Sequence, residues 1–219
     1  MGNIKNIFFD LDGTLIDPEE GIINSILYSI QKLNLPVASK KELKHFIGPP
    51  LIESYIHYFN LSRADAKHAV DVFREYFSEK GLYENFLYSE VYDSLLRLNE
   101  LSFNLYIATS KPTYFAKKIA DYHNIDRFFV AVIGSTLDHS RIKKNDIIQY
   151  ILNNYGIKST ESIMVGDRKF DITGAKSCML KSIAVTYGHG SKEELMNAEP
   201  DFVIDEISEI FSILDKPKL

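Results

Sequence analysis

The chain has 219 residues, 45% of them apolar and 25% charged, ordinary globular usage that excludes a disordered or collagen-like chain. At about 100–200 residues per domain, the length predicts one domain or one and a half. A net charge of −5, with acidic residues spread throughout, argues against a nucleic-acid or anionic-membrane binder, so a phosphate-bearing ligand would need local help.

Cys178 stands alone, which rules out an internal disulfide or a multi-thiolate metal site and favours a reducing compartment. Met1 to Phe9 carries a short apolar run, Ile7-Phe8-Phe9, with no small-residue cleavage pattern behind it. No apolar stretch approaches the roughly 18 residues of a membrane span. The expectation is a cytoplasmic protein, monomer or homodimer, with neither nucleic acid nor membrane as partner.

Ile4 to Phe9 is β-branched and aromatic, runs into Asp10-Leu11-Asp12-Gly13-Thr14, and predicts a buried strand feeding a loop. From Pro18 to about Glu100 the pattern is almost wholly helical. Ile22, Ile23, Ile26, Leu27, Ile30 and Leu33 form one apolar stripe. Ala66, Ala69, Val70, Phe73 and Phe77 form another behind a Ser62 cap with Asp65 three residues on. Gly48-Pro49-Pro50 must break whatever helix precedes it.

Beyond that block, short strand-like runs alternate with helical patterns. The runs are Leu105–Ala108, Phe129–Ile133, Ser162–Val165, Ser182–Val185 and Phe202–Ile204. One helical pattern carries Phe115, Ile119 and Tyr122, and the next carries Ile147, Ile148, Ile151 and Leu152 and ends near Gly156. Such alternation predicts crossover units and a doubly wound parallel sheet, an α/β fold. The expected organisation is an α/β core of residues 1–16 and 90–219, with residues 17–89 inserted as an all-helical cap. The tail Lys216-Pro217-Lys218-Leu219 is expected to fray.

In open α/β sheets, ligands bind at the carboxyl ends of the strands. The polar residues at those ends are Asp10, Asp12, Gly13 and Thr14; then Thr109, Ser110 and Lys111; then Gly166, Asp167 and Arg168. Lys143 and Lys144 stand just before a helix. Each group has an ordinary alternative: Asp-Gly as a turn, Thr109-Ser110-Lys111-Pro112 as a helix start, the lysines as a solvated pair, and Gly166 to Asp171 as a capped turn. Two carboxylates as close as Asp10 and Asp12 repel unless a cation sits between them or one is protonated. With Asp167 they make an oxygen set for a hard divalent cation such as Mg²⁺. A carboxylate nucleophile, a second carboxylate as acid and base, and hydroxyl and cationic partners for phosphate oxygens are the parts of phosphoryl transfer.

Asp10-Leu11-Asp12-Gly13-Thr14-Leu15, Thr109 closing its strand, a lysine before a helix, and Gly166-Asp167-Arg168-Lys169-Phe170-Asp171 match the four signature motifs of the haloacid dehalogenase superfamily. The resemblance covers essentially the whole chain, including the helical insertion after the first motif. Phe46-Ile47-Gly48-Pro49-Pro50-Leu51 and Val185-Thr186-Tyr187-Gly188-His189-Gly190-Ser191 are similar to its phosphoglycolate phosphatase-like group. The resemblance implies a Rossmann-like core and a Mg²⁺-dependent phosphatase of small phosphorylated metabolites, working through an aspartyl phosphate, with nucleotidase or pyrophosphatase activity within its range.

Residue by residue, the resemblance implies Asp10 as nucleophile and metal ligand, and Asp12 as acid/base and metal ligand through its backbone carbonyl. Asp167 would complete the metal site, and Asp171 would support it from behind by orienting a metal-bound water or Lys144. Gly13, Thr109, Ser110 and Lys144 would hold the phosphate; the spacing to Ile147 and Ile148 selects Lys144 over Lys143. Gly48 and Pro49 would contact substrate from the cap. A phosphomutase, or a phosphoacceptor module without turnover, are the alternatives. Ser191-Lys192-Glu193-Glu194 reads as a capping box. His45, His57, His68, His123, His139 and His189 show no metal-triad spacing; His189, between two glycines, is the one most open to a role. Cys178 reads as a small buried apolar residue.

Overall fold

The computed structural model describes residues 4–136 and 141–214. His139 and the tail expected to fray lie outside the described residues. The chain divides into two compact units, Met1–Ile16 with Leu87–Leu219, and Asp17–Phe86.

β1 (Asn6–Phe9) opens the first unit, and all four of its residues are buried. Its apolar run Ile7-Phe8-Phe9 suits a central parallel strand covered on both faces. β2 (Ile16–Asp17) leads into the second unit. There follow α1 (Glu19–Leu33), α2 (Lys40–Leu43), α3 (Leu51–Phe59) and α4 (Arg63–Glu79). Ile22, Ile23, Ile26 and Ile30 bury one face of α1. Ala66, Ala69, Val70, Phe73 and Phe77 bury one face of α4, whose first turn is capped by Ser62 Oγ accepting from Asp65 N. Burial of these stripes, rather than local propensity, holds such short helices. Gly48-Pro49-Pro50 ends the turn of 3-10 helix at Lys44–Phe46 and leads into α3.

β3 (Phe86–Leu87) pairs with β2 as a separate two-stranded sheet. The helical reading of 18–100 misses β3, because two residues carry no measurable periodicity. α5 (Val91–Glu100) lies in the first unit, to which the chain returns at Leu87.

The chain continues through β4 (Asn104–Pro112), α6 (Thr113–Tyr122), β5 (Phe129–Ser135), α7 (Lys144–Tyr155), β6 (Ser162–Gly166) and α8 (Lys169–Ser177). β7 (Lys181–Val185), α9 (Lys192–Asn197), β8 (Phe202–Ile204) and α10 (Ile210–Leu214) complete it. The six-stranded sheet has the order β5-β4-β1-β6-β7-β8 with every described pairing parallel. The fold is therefore the doubly wound α/β class. Its topological switch flanks β1, where the chain has gone one way to β4 and β5 and returns on the other side to β6. Phe8, Tyr106 and Met164 from three adjacent strands pack with Ile147, Ile148 and Ile151 of α7 and with Ala175 of α8. Cys178 joins the same cluster, 6% exposed. No described helix is long and apolar enough to cross a membrane.

Candidate active site

The switch point fixes the site. Phe9 is level with Ile107 on one neighbour and Val165 on the other, so Asp10 leaves β1 beside the ends of β4 and β6. Its backbone N–H donates to Val165 O at 2.9 Å. The Asp10 carboxylate is held by Oδ1, which accepts from Leu11 N at 2.8 Å and lies 2.9 Å from Lys144 Nζ.

Lys144 is the first residue of α7 and its side chain is 3% exposed, whereas Lys143 is exposed at the helix cap. Its ammonium also lies 2.8 Å from Asp171 Oδ1 and donates to Ala108 O at 2.8 Å. Asp171, in the first turn of α8, is fully buried and accepts from Arg168 N through Oδ2 at 3.0 Å. Asp167 follows β6. Its Oδ1 accepts from Thr14 Oγ1 at 3.3 Å and its Oδ2 from His189 N at 2.9 Å.

One ligand atom each from Asp10, Asp167 and Asp171 lies within 4.8 Å of the others. Burial pushes the Asp167 carboxyl up, and the charges of Asp171 and Asp10 push it further. Burial likewise raises Asp171 against the opposing pull of Lys144. For Lys144, burial works against the charge but Asp10 and Asp171 outweigh it, so its ammonium is held protonated well above the ordinary lysine range. Three clustered buried carboxylates, only two of them against the Lys144 ammonium, make a strongly acidic pocket. A hard divalent cation with oxygen preference fits that donor set.

Asp12 stands apart from the acidic trio. Its Oδ1 lies 2.7 Å from Lys111 Nζ, with 17% of the Asp12 side chain and 6% of the Lys111 side chain exposed. Burial raises the Asp12 carboxyl, Lys111 pulls it down and Asp10 adds to the rise, with a net upward shift. Gly13 adopts φ 81° and donates to Ile16 O at 2.8 Å. A Cβ there would fall 2.2 Å from Asp167 Oδ2, so the loop between Asp12 and Thr14 closes on Asp167 only with glycine.

Thr109 is buried and Ser110 half-buried, with Thr109 Oγ1 accepting from Lys111 N at 3.2 Å. These residues do not lie in a loop beyond the strand. β4 runs on to Pro112 and resumes pairing, Pro112 to Ser135, after a register shift beyond Ala108. Pro112 is the cap of α6 rather than its first residue, with ψ 135°. Such bulges re-aim side chains next to a site. Gly48, at φ 102°, and Pro49 lie in the second unit, in the turn before α3.

The capping box at Ser191 is only half formed. Ser191 Oγ accepts from Glu194 N at 3.0 Å, but the Glu194 carboxylate turns away to Arg168, with Nε to Oε1 at 2.9 Å and Nη2 to Oε2 at 3.1 Å. A guanidinium fork outcompetes a single backbone N–H. Sequence reasoning also missed two contacts of the site. The first is Lys111 on Asp12, since the bulge that turns the lysine inward has no sequence signal. The second is the His189 backbone on Asp167, for which the flanking glycines were the available hint.

Carboxylates, hydroxyls and ammonium groups thus gather at the switch point of a doubly wound α/β sheet, the place where this class of fold binds its ligands. A family model for haloacid dehalogenase-like hydrolases matches residues 7–185, and the chain belongs to that family. It is similar to a 5'-nucleotidase of Pseudomonas aeruginosa, 38% identical over 210 residues that cover 96% of this chain and 95% of the relative. It is also similar to a phosphoglycolate phosphatase of Vibrio cholerae, 31% identical with 98% of each covered. Among solved structures, one described as a "predicted phosphatase from Clostridium acetobutylicum" superposes with a TM-score of 0.92 at 40% identity. It covers 96% of this chain and 98% of that one.

Proposed function

We infer that the protein is a Mg²⁺-dependent phosphatase of small phosphate monoesters that works through an aspartyl phosphate on Asp10. The observation that carries this reading is the buried Asp10 carboxylate, fixed by Lys144 through Oδ1 at 2.9 Å within a buried acidic trio. Asp10, Asp167 and the backbone carbonyl of Asp12 would hold the metal. When bound, it would offset the charge of the carboxylates and of the incoming phosphate.

Asp10 Oδ2 attacks phosphorus as the ester oxygen departs, and Asp12 supplies the proton to that oxygen. The upward shift of Asp12 by burial suits the acid role. Asp12 then takes a proton from the water that cleaves the acyl phosphate, freeing inorganic phosphate and restoring Asp10. Lys144 keeps Asp10 in place and, with Thr109 and the backbone N–H of Ser110, meets the non-bridging oxygens, while Gly13 lets the loop beside them close. Asp171 holds Lys144. Gly48 and Pro49 of the helical unit help select the substrate. Nucleoside monophosphates and phosphoglycolate lead the candidates, after the named relatives, and the lone Cys178 suits a cytoplasmic setting.

The test is Asp10→Asn assayed with Mg²⁺ on a panel of nucleoside monophosphates, phosphoglycolate, sugar phosphates and pyrophosphate. Release of inorganic phosphate by the wild type, and its loss in a variant with unchanged circular dichroism, is the expected result. Magnesium-dependent hydrolysis retained in Asp10→Asn would overturn the reading. Isomerised sugar phosphate without phosphate release would assign a mutase instead.

A further inference from the structure

Lys111 is a buried lysine that the mechanism above does not use. Its ammonium meets Asp12 Oδ1 at 2.7 Å, and among the described residues this contact engages Oδ1 rather than Oδ2. The lysine is aimed by its backbone: Lys111 N donates to Thr109 Oγ1 at 3.2 Å, inside the bulge of β4. Gly134 of β5 backs the same peptide so closely that a Cβ at 134 would fall 2.1 Å from Lys111 O. Gly134 is itself held, its N–H donating to Thr113 Oγ1 at 2.9 Å and its carbonyl accepting from Arg141 Nη2 at 3.2 Å. A flexible side chain, whose ordering costs entropy, is thus fixed by its own backbone on one carboxylate oxygen.

We propose that Lys111 is a positioning residue for Asp12: by occupying Oδ1 it fixes the carboxyl rotamer and leaves Oδ2 as the atom that gives the proton to the leaving oxygen. The inference rests on the phosphatase reading and deepens it. The work is divided between two lysines, Lys144 on the nucleophile and Lys111 on the acid. Lys111→Met keeps the length of the side chain and removes the clamp.

The experiment compares kcat/KM of wild type and Lys111→Met on two esters, an alkyl phosphate whose leaving oxygen needs a proton and 2,4-dinitrophenyl phosphate whose leaving group does not. The expected result is a loss of about 10²-fold on the alkyl ester and less than about threefold on the dinitrophenyl ester. In an Asp12→Asn background, Lys111→Met should then cost nothing further on the alkyl ester, the non-additivity of residues that act as one unit. Equal losses on both esters would make Lys111 a phosphate ligand and overturn the proposal, as would no loss on either. Gly134→Ala, which displaces the Lys111 peptide and keeps its charge, should reproduce the selective loss. It decides the question in the same way should Lys111→Met fail to fold. A wild type inert towards both esters would instead refute the phosphatase reading itself.

Discussion

Lys144 and Asp10 meet at 2.9 Å with 3% and 11% of their side chains exposed, and the same ammonium lies 2.8 Å from Asp171. One buried cation therefore holds the end of β1 and the first turn of α8 to the start of α7. Removing one partner of such a set leaves buried charge without compensation, which typically costs about 3–5 kcal/mol. Lys144→Met should lower unfolding free energy by that order in urea, and turnover by at least about 10²-fold. A variant as stable as the wild type would show that the carboxylates discharge by protonation or reach water without the lysine.

The acidic trio makes stability depend on pH, and the proposed metal would couple to that dependence. Burial raises Asp167 and Asp171, and in Asp167 the neighbouring Asp171 and Asp10 add to the rise. A carboxyl whose native value lies above its unfolded value of about 4 binds more protons folded than unfolded. Stability then falls as pH rises from about 4 through the raised native values. A divalent cation held by Asp10 and Asp167, as proposed, would favour the ionised carboxyls and offset that loss. Calorimetry in chelator should show the melting temperature falling from pH 5 to pH 8, and the gain on adding Mg²⁺ should be larger at pH 8. A gain independent of pH would remove Asp167 from the proposed metal site.

What the sequence makes legible follows from how local each signal is. β1 reads as a buried strand because Ile7, Phe8 and Phe9 run without a break, and Asp10 after them stands out as a carboxylate where the core ends. Lys144 separates from Lys143 because α7 has a helical stripe, Ile147, Ile148 and Ile151, that fixes which lysine turns inward. The two-residue strands β2 and β3 have no such period, and they exist through pairing alone. The Lys111 contact depends on a bulge set by Gly134 from the next strand, and the turn of Glu194 towards Arg168 depends on a segment far away along the chain. Both are products of packing between elements, which composition and spacing along one element do not encode.

Gly190 sits where a Cβ would fall 1.9 Å from the Asp167 carbonyl. Gly190→Ala must push the 187–191 segment off the end of β6 and draw the His189 N–H from Asp167 Oδ2, now 2.9 Å away. Overpacking of this kind costs about 1–3 kcal/mol. The more specific consequence is a weaker metal site, read by titration calorimetry with Mg²⁺ as a several-fold rise in Kd. Unchanged affinity in a destabilised variant would mean that the Gly188-His189-Gly190 turn supports the fold and not the ligand.

Glu194 joins α9 to the loop that carries Asp167. It accepts from both ends of the Arg168 guanidinium and from Lys169 N at 3.0 Å. Burial acts to raise its carboxyl, but the Arg168 and Lys169 hydrogen bonds outweigh that and hold it below the usual glutamate range. With the native value below the unfolded value of about 4.3, the unfolded chain binds more protons. The contribution is therefore complete above that value and is lost as pH falls through the native one. The pair is 15% and 19% exposed, so solvent screening reduces it to about 1 kcal/mol. Glu194→Gln should be less stable than the wild type by that amount at pH 7, and the two urea midpoints should converge below about pH 4. Because Arg168 adjoins Asp167, the same variant should also bind Mg²⁺ more weakly at pH 7. A stability gap that persists unchanged into acid would show that the substitution removes a fit of shape and not of charge.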